Sequence, residues 1–146
     1  VINAGVSGDT TAGGLARLDW VLGDAPTHLL VELGGNDALR AIPVEAMEAN
    51  LAGIIEGAEA AGVEVMLAGM LAPPNLGARY TDAFAAVFER LAARYDVPLY
   101  PFFLDGDIQD PDLMAEDGIH PNAAGVAVIV ERILPYVVTW LDGAAA

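Results

Sequence analysis

The sequence contains no cysteine, no lysine and only one serine, Ser7. The absence of cysteine excludes disulfide bonds, thiolate catalysis and cysteine-ligated metal sites. The six basic residues are all arginines and stand against 21 aspartates and glutamates, for a net charge of −15. Because nucleic acids and anionic lipids are bound through clusters of basic side chains, this balance argues against both as partners.

Long uninterrupted hydrophobic runs are also absent. A representative charge-free stretch, residues 65–78, is interrupted by glycine and proline. It is shorter than the ~18 apolar residues that a membrane span requires, so we expect no stable insertion into a membrane. Val1 already lies in a strand-like segment, so the sequence displays no signal peptide and does not report the compartment.

The residues that are present are typical of a packed globular domain, since 55% of the 146 positions are hydrophobic and only 18% are charged. Short apolar runs alternate with helical periodicities, which predicts βαβ units, a parallel sheet and a single three-layer α/β/α domain over residues 1–146. The predicted strands are residues 1–3, 28–33, 63–70 and 97–100. The predicted helices are residues 14–22, 43–61, 81–95 and 122–141, with Pro43 in a first turn and Pro135 expected to kink or break the last helix.

Ligands bind beyond the carboxyl ends of the strands in such folds, and the segment before the last helix carries two candidate groups. Asp117 lies three residues before His120 in a loop that contains glycine. Its carboxylate can fix one ring nitrogen of the histidine and leave the other to accept a proton from a nucleophile. Alternatively, both residues serve only the N-terminus of the helix. The other histidine, His28, begins a strand and is interpreted as structural.

Two glycine-containing segments follow the first two predicted strands. Residues 34–37, Gly-Gly-Asn-Asp, are typical of a tight turn, where glycine and asparagine tolerate positive φ. They also suit a site where substrate approaches the backbone and the Asn36 amide stabilises a developing oxyanion. Gly8 fits the same hypothesis through its backbone N–H. Nearby Arg40 is interpreted as a surface arginine.

These segments occur in the order Ser-Gly-Asp-Thr (7–10), Gly-Gly-Asn-Asp (34–37) and Asp-Gly-Ile-His-Pro-Asn (117–122). In that order they resemble the SGNH or GDSL-family hydrolases, most closely the bacterial thioesterase I/lysophospholipase and arylesterase branch. The local sequences at residues 14–18, 31–40 and 96–103 resemble the same branch, and the resemblance covers essentially the whole chain.

The resemblance implies a flavodoxin-like fold and cleavage of small-molecule acyl esters or thioesters through an acyl-enzyme, without metal or cofactor. It implies that Gly8 and Asn36 are oxyanion-hole donors, that His120 is the general base and acid, and that Asp117 orients it. Asp9 and Asp37 are interpreted as loop-holding residues. The family also favours a periplasmic or secreted location. The oligomeric state is not indicated.

One family motif, Gly-Asp-Ser-Leu at the end of the first and central strand, has no counterpart in the sequence. By the resemblance it belongs upstream of Val1, and Ser7 occupies the glycine block instead of the nucleophile position. The chain is therefore expected to be an N-terminally truncated domain with no nucleophile of its own and little or no activity. Without that central strand, its two apolar neighbours are expected to expose unpaired edges.

Two further readings compete with the esterase. A non-catalytic ligand-binding remnant would keep the pocket, but it has no need of a base and its orienting partner. A metal-assisted hydrolase would need a compact ligand cluster, which two histidines far apart in the sequence do not supply.

Overall fold

The computed structural model describes residues 1–105 and 110–143. The chain divides into two compact units, residues 1–101 and residues 102–146, which are described separately. The expectation of a single domain stays a prediction.

The first unit is built on a small parallel sheet. Its strands are β1 (His28–Glu32), β2 (Glu64–Ala68) and β3 (Leu99–Tyr100), in the spatial order β1-β2-β3. Both pairings are parallel. The predicted parallel sheet is confirmed, with three of the four predicted strands inside the predicted ranges.

Helices follow the strands as the sequence predicts. The helices of this unit are α1 (Thr11–Ala16), α2 (Leu18–Leu22), α3 (Gly35–Leu39), α4 (Val44–Ala60) and α5 (Ala78–Tyr95), with a 3₁₀ turn at Pro74–Leu76. α4 and α5 pack on each other and on β2. Their buried faces form the core with β1 and β2, and the fully buried side chains include Met47, Leu51, Ile55, Leu67, Phe84 and Leu91.

The predicted strand at residues 1–3 is wrong. This segment has no strand hydrogen bonding, and Val1 and Ile2 are exposed. A strand exists only through hydrogen bonds to a neighbouring strand. In the part of the chain that the structure describes, β1 pairs with β2 along one edge and with no strand along the other, and residues 1–3 do not pair with that free edge.

Two predicted helices and one predicted turn also need correction. The single helix predicted at residues 14–22 is two short helices that break at Arg17, whose side chain binds Asp9 and the Ala4 carbonyl. Pro43 precedes α4 with ψ 131°, so it lies outside the first helical turn. The tight turn predicted at residues 34–37 is the start of α3.

The second unit consists of a looped segment and one helix. Its elements are a 3₁₀ turn at Pro111–Leu113, a bridge between Met114 and Pro121, and α6 (Ala123–Leu141). Pro135 lies inside α6 and does not end it, because Ile133 and Trp140 are buried on either side of the proline and keep the helix packed.

By length and mean hydropathy, α6 could cross a membrane, and it is the one helix of the described residues for which this holds. It carries Glu131 and Arg132 near its middle, and Gly125, Ile129, Ile133 and Trp140 are buried. Core helices of soluble proteins pass the same length and hydropathy test, but they are mostly buried, whereas 22% of the apolar window of α6 is buried.

Candidate active site

Gly8 lies in a tight turn immediately before α1. The Asp9 N–H donates to the Val6 carbonyl at 3.2 Å, and Gly8 adopts a φ of +76°. A Cβ on Gly8 would meet nothing within 4 Å, so glycine is needed here for backbone conformation and not for space. Among residues 1–105 and 110–143, no group accepts a hydrogen bond from the Gly8 N–H, which leaves this donor available to a ligand.

Asn36 lies in the first turn of α3, directly after β1. The chain turns at Gly34, whose φ is +115° and whose added Cβ would lie 3.2 Å from Phe88 Cζ and 3.3 Å from Met47 Sδ. Conformation and crowding therefore both require glycine at this position. Asn36 is half-buried, and within the described residues its side-chain amide has no hydrogen-bond partner. It is a second unengaged donor in this unit.

A buried carboxylate joins the segments that carry these two donors. Asp37 is fully buried, and its two oxygens accept the Thr11 N–H at 2.9 Å and the Thr11 hydroxyl at 2.6 Å. Asn50 Nδ2 of α4 donates in turn to the Thr11 hydroxyl oxygen at 3.1 Å. Because the hydroxyl has one proton, it donates to Asp37 and accepts from Asn50, and the direction of each bond is determined.

Two arginines fix the backbone on either side of this bridge. Arg40 Nη2 donates to the Gly8 carbonyl at 2.9 Å, so the arginine interpreted from the sequence as a surface residue holds the Gly8 turn. Arg17 Nε donates to Asp9 at 2.7 Å, and Arg17 Nη1 donates to the Ala4 carbonyl at 2.6 Å. Asp9 also accepts the Thr10 N–H, consistent with its predicted loop-holding role.

In the second unit, Asp117 and His120 form a compact pair. Asp117 Oδ2 lies 2.7 Å from His120 Nδ1, while Oδ1 accepts the backbone N–H groups of Ile119 and His120 at 2.9 Å each. Gly118, with a φ of +64°, allows the chain to fold back over the carboxylate. The His120 bond, followed by the two backbone bonds, holds the pKa of Asp117 well below its usual range.

The helix that follows is capped by a different residue. Asn122 Oδ1 accepts the N–H groups of Ala124 and Gly125, and its Nδ2 donates to the carbonyls of Asp112 and Met114. The N-terminus of α6 is thus satisfied without Asp117 or His120, whose side chains engage each other. Since a charged carboxylate only accepts hydrogen bonds, Nδ1 carries the proton and the neutral ring presents Nε2 as an acceptor.

An apolar groove of about 370 Å³ opens beside the start of α5. It is lined by Leu71, Ala72, Pro74, Ala78, Thr81, Asp82 and Ala85. Met70, which leads into this loop, lies in van der Waals range of Gly35, as its Cε is 3.6 Å from the position of an added Cβ there. The loop that lines part of the groove therefore starts, at Met70, next to the turn that carries Asn36.

The structure brings the sequence-predicted residues together in two groups, one in each unit. The Gly8 and Asn36 segments are bridged in the first unit, and Asp117 and His120 are paired in the second. His28 lies at the start of β1 beside Thr27 and Glu64, as expected of a structural residue. Within the described residues there is no group of three side chains that could hold a metal ion.

Sequence reasoning missed three residues that organise the first group. Thr11, Asn50 and Arg40 contact residues that are 26 to 39 positions away along the chain. No local sequence pattern predicts such long-range contacts. The only available signal was the position of Thr11 and Arg40 at the edges of two motifs that were already singled out.

Comparison with known proteins identifies similar chains. The GDSL-like lipase/acylhydrolase family matches residues 1–128. The chain is 43% identical over 136 residues to esterase TesA of Pseudomonas aeruginosa, covering 92% of this chain and 68% of that one. It is 46% identical over 123 residues to thioesterase 1/protease 1/lysophospholipase L1 of Escherichia coli, covering 84% and 59%.

A solved structure agrees with these matches. Esterase EstA from Pseudoalteromonas sp., in a structure inhibited by monoethylphosphonate, is similar with a TM-score of 0.92 and 37% identity, over 97% of this chain and 78% of that chain. This similarity confirms the predicted fold class. The chain spans 59% of the length of the Escherichia coli relative and 68% of the Pseudomonas one.

Proposed function

Because the chain belongs to the GDSL-like lipase/acylhydrolase family, we propose that it is the larger part of a serine-type hydrolase that cleaves esters and thioesters through an acyl-enzyme. The observation that carries the proposal is the 2.7 Å contact between Asp117 Oδ2 and His120 Nδ1. A ligand-binding site has no use for a histidine whose tautomer is held in this way, whereas acyl transfer requires one.

In this mechanism His120 moves the protons. Its Nε2 takes the proton of the serine hydroxyl as the oxygen attacks the acyl carbon, and the imidazolium that forms is stabilised by Asp117. The same proton then passes to the leaving alcohol or thiol as the bond from the acyl carbon breaks. In the second half of the reaction His120 removes a proton from water as the water attacks the acyl carbon, and it returns that proton to the serine oxygen as the bond to the acyl group breaks and the acid leaves.

Gly8 and Asn36 stabilise the negative oxygen of each tetrahedral intermediate. Each has an N–H donor that no described group of the protein engages, and neither brings a charge of its own. Neutral, preorganised donors of this kind contribute most where charge develops during the reaction.

The nucleophile is a serine outside residues 1–146. Ser7 is the only serine of the sequence, and it is an exposed residue of the turn that orients Gly8. A nucleophile there would compete with the oxyanion role of its own neighbour. The chain by itself is therefore expected to retain only the residual rate that binding and oxyanion donors provide, on the order of 10³–10⁴ over water.

The apolar groove beside the start of α5 is suited to a small or medium acyl chain. Its walls are mainly aliphatic, so a bound chain would gain about 0.8 kcal/mol for each methylene that leaves water. The relatives named above are described as an esterase and as a thioesterase and lysophospholipase, which is consistent with acyl substrates.

The test compares two proteins, the 146-residue chain and the product of the whole gene. Each is treated with a fluorophosphonate probe and its intact mass is recorded, with His120→Ala as the control. We expect labelling only of the whole-gene product, at a serine outside residues 1–146, and loss of labelling in the histidine variant. Labelling at Ser7 would overturn the assignment of roles, and two folded but unlabelled proteins would overturn the catalytic proposal in favour of a binding module.

A further inference from the structure

Two side-chain contacts join the Gly8 turn and the start of α1 to α3 and the residue that follows it. Within the described residues they are the only polar contacts between the segments that carry the two oxyanion candidates. One is the Asp37 carboxylate on Thr11, and the other is the Arg40 guanidinium on the Gly8 carbonyl. We propose that Asp37 and Arg40 are positioning residues that hold the Gly8 N–H and the Asn36 amide at one fixed separation, so that both reach the same oxyanion. This inference rests on the proposed function.

The need for such a clamp follows from Gly8 itself. Glycine is the most flexible residue, and this one has no neighbour within 4 Å of the position where a Cβ would lie. No side chain packs where a Gly8 Cβ would lie, so the hydrogen bonds of this turn are needed to restrain its backbone. The Gly8 carbonyl and the Asp9 N–H belong to one peptide group, which the turn bond to Val6 holds through its nitrogen and Arg40 holds through its oxygen.

The second contact sets the distance between the segments. Asp37 directly follows Asn36, and Thr11 begins the helix that follows the Gly8 turn, so each end of this bond lies next to a proposed donor. The bonded residues are 26 and 32 positions apart along the chain, which means that no local element sets their spacing.

A link that served stability alone would not need this chemistry. Burying a carboxylate carries a desolvation cost that a pair of well-packed apolar side chains avoids. The hydrogen-bonded arrangement instead gives direction, because Asp37 accepts from both polar groups of Thr11, and Asn50 fixes the hydroxyl from the other side. Directional bonds specify an orientation to a fraction of an ångström, which is the tolerance that an oxyanion hole requires.

The first experiment removes Arg40 from the whole-gene protein. Arg40→Met keeps the length of the side chain without its donors, and hydrolysis of a p-nitrophenyl ester is followed. We expect kcat to fall 10- to 100-fold with KM changed by less than threefold, because misplacing a reacting group by about 1 Å costs on the order of 10²-fold. The matched control is Arg90→Met, which removes an arginine that makes two hydrogen bonds to Glu48 on the surface and should change kcat less than twofold.

The second experiment exchanges the donor and acceptor roles on the two sides of the Thr11 hydroxyl, which now donates to Asp37 and accepts from Asn50. Asp37→Asn keeps one acceptor oxygen and replaces the other by an NH2 donor, so when the oxygen accepts the Thr11 N–H the Thr11 hydroxyl has no acceptor for its proton, and kcat should fall at least tenfold. Adding Asn50→Asp supplies that acceptor from the other side, with the new charge at a half-buried position. The double variant should therefore recover kcat to within threefold of the unaltered protein.

The outcomes separate this inference from the proposed function. If the unaltered whole-gene protein hydrolyses esters but Arg40→Met and Asp37→Asn lower only the melting temperature, the two residues contribute to stability alone and the positioning role is overturned. Failure of the double variant to recover kcat, although it folds, also overturns it. If the unaltered protein neither hydrolyses esters nor reacts with the fluorophosphonate, the proposed function fails first and the inference falls with it.

Discussion

The Gly8 turn and the Asp117–His120 loop are both built from glycine and short polar residues, but the chain holds them in different ways. The Gly8 turn depends on partners 26 to 39 positions away, and the carboxylate at its centre is fully buried. In the loop, the described hydrogen-bond partners of the Asp117 carboxylate all lie within three positions along the chain. The side chains of Asp117 and His120 are both largely exposed.

The difference teaches that the same reaction can place different demands on structure. A base and its orienting carboxylate need a short contact between two side chains, which one tight loop supplies. Two oxyanion donors from distant segments need a common frame, which only tertiary contacts supply. Variants that disturb the loop should therefore affect chemistry far more than stability, whereas variants at the clamp should affect chemistry and stability together.

The largest effect is expected from the loop. His120→Ala in the whole-gene protein should lower kcat on the order of 10⁴–10⁶-fold, because the proton-transfer group is removed, and should leave the urea unfolding midpoint unchanged. Steady-state ester hydrolysis and urea denaturation measure the two quantities. His28→Ala is the matched control, since it removes the other histidine, and a comparable loss of activity there would refute the assignment.

A smaller loss is expected from the unengaged amide in the other unit. Asn36→Ala should lower kcat about 10²–10³-fold with little change in KM, as for loss of one oxyanion donor. Asn36→Asp has the same shape but cannot donate when charged, so it should lose at least as much. An Asn36→Asp variant with near-normal kcat would show that donation from this side chain is not needed.

The stability side of the comparison is tested with two aspartates. Asp37→Ala leaves the buried N–H and hydroxyl of Thr11 without their acceptor, and the free energy of unfolding should fall by about 2–4 kcal/mol. Asp117→Ala removes a carboxylate from an exposed loop, where solvent screens its contacts, and should lower the unfolding free energy by clearly less than Asp37→Ala does. Equal losses for the two variants would remove the distinction between clamp and loop.

The smallest expected effect is a shift in the titration midpoint of the Asp117 carboxyl group. Asp117 should titrate below the usual aspartate range, as followed by the ¹³C shift of its carboxyl carbon, because His120 and two backbone N–H groups stabilise the charged form. A lowered pKa in the folded state adds stability above the ordinary aspartate pKa and loses it as the pH falls through the folded value. His120→Ala should raise the midpoint only part of the way, since the backbone donors remain. An unchanged midpoint in that variant would contradict the pairing.

Sequence reasoning predicted the loop better than the clamp, for a physical reason. The Asp117 and His120 contact spans three residues and a glycine, so spacing alone makes it accessible to inspection. The bridge between Asp37 and Thr11 depends on how two helices and a strand pack, and no pattern within either motif specifies it. Arg40 illustrates the same limit, since it is exposed as the sequence predicts, but its hydrogen bond to the Gly8 carbonyl is not visible in the sequence.

The fold follows the same division. Buried parallel strands were recognised because their apolar runs carry the information locally, as at residues 63–70. Residues 1–3 have an equally apolar start but form no strand, since strand formation depends on a partner that the described chain does not provide. The break at Arg17 was also hidden, because it is associated with contacts to Asp9 and Ala4 that precede the helix.

The short reach of the contacts around Asp117 has a consequence for the order of folding. A loop closed over three residues loses little chain entropy, while each doubling of loop length adds about 0.6 kcal/mol to the cost of closure. The bond between Thr11 and Asp37 joins residues 26 positions apart. This loop is about three doublings longer than the Asp117–His120 loop, so the bond forms only after the strands and helices of its unit have packed together. The histidine pair can thus be present in a chain whose oxyanion donors are still far apart, and the completion of folding, not the appearance of the base, is the event that would create a working site.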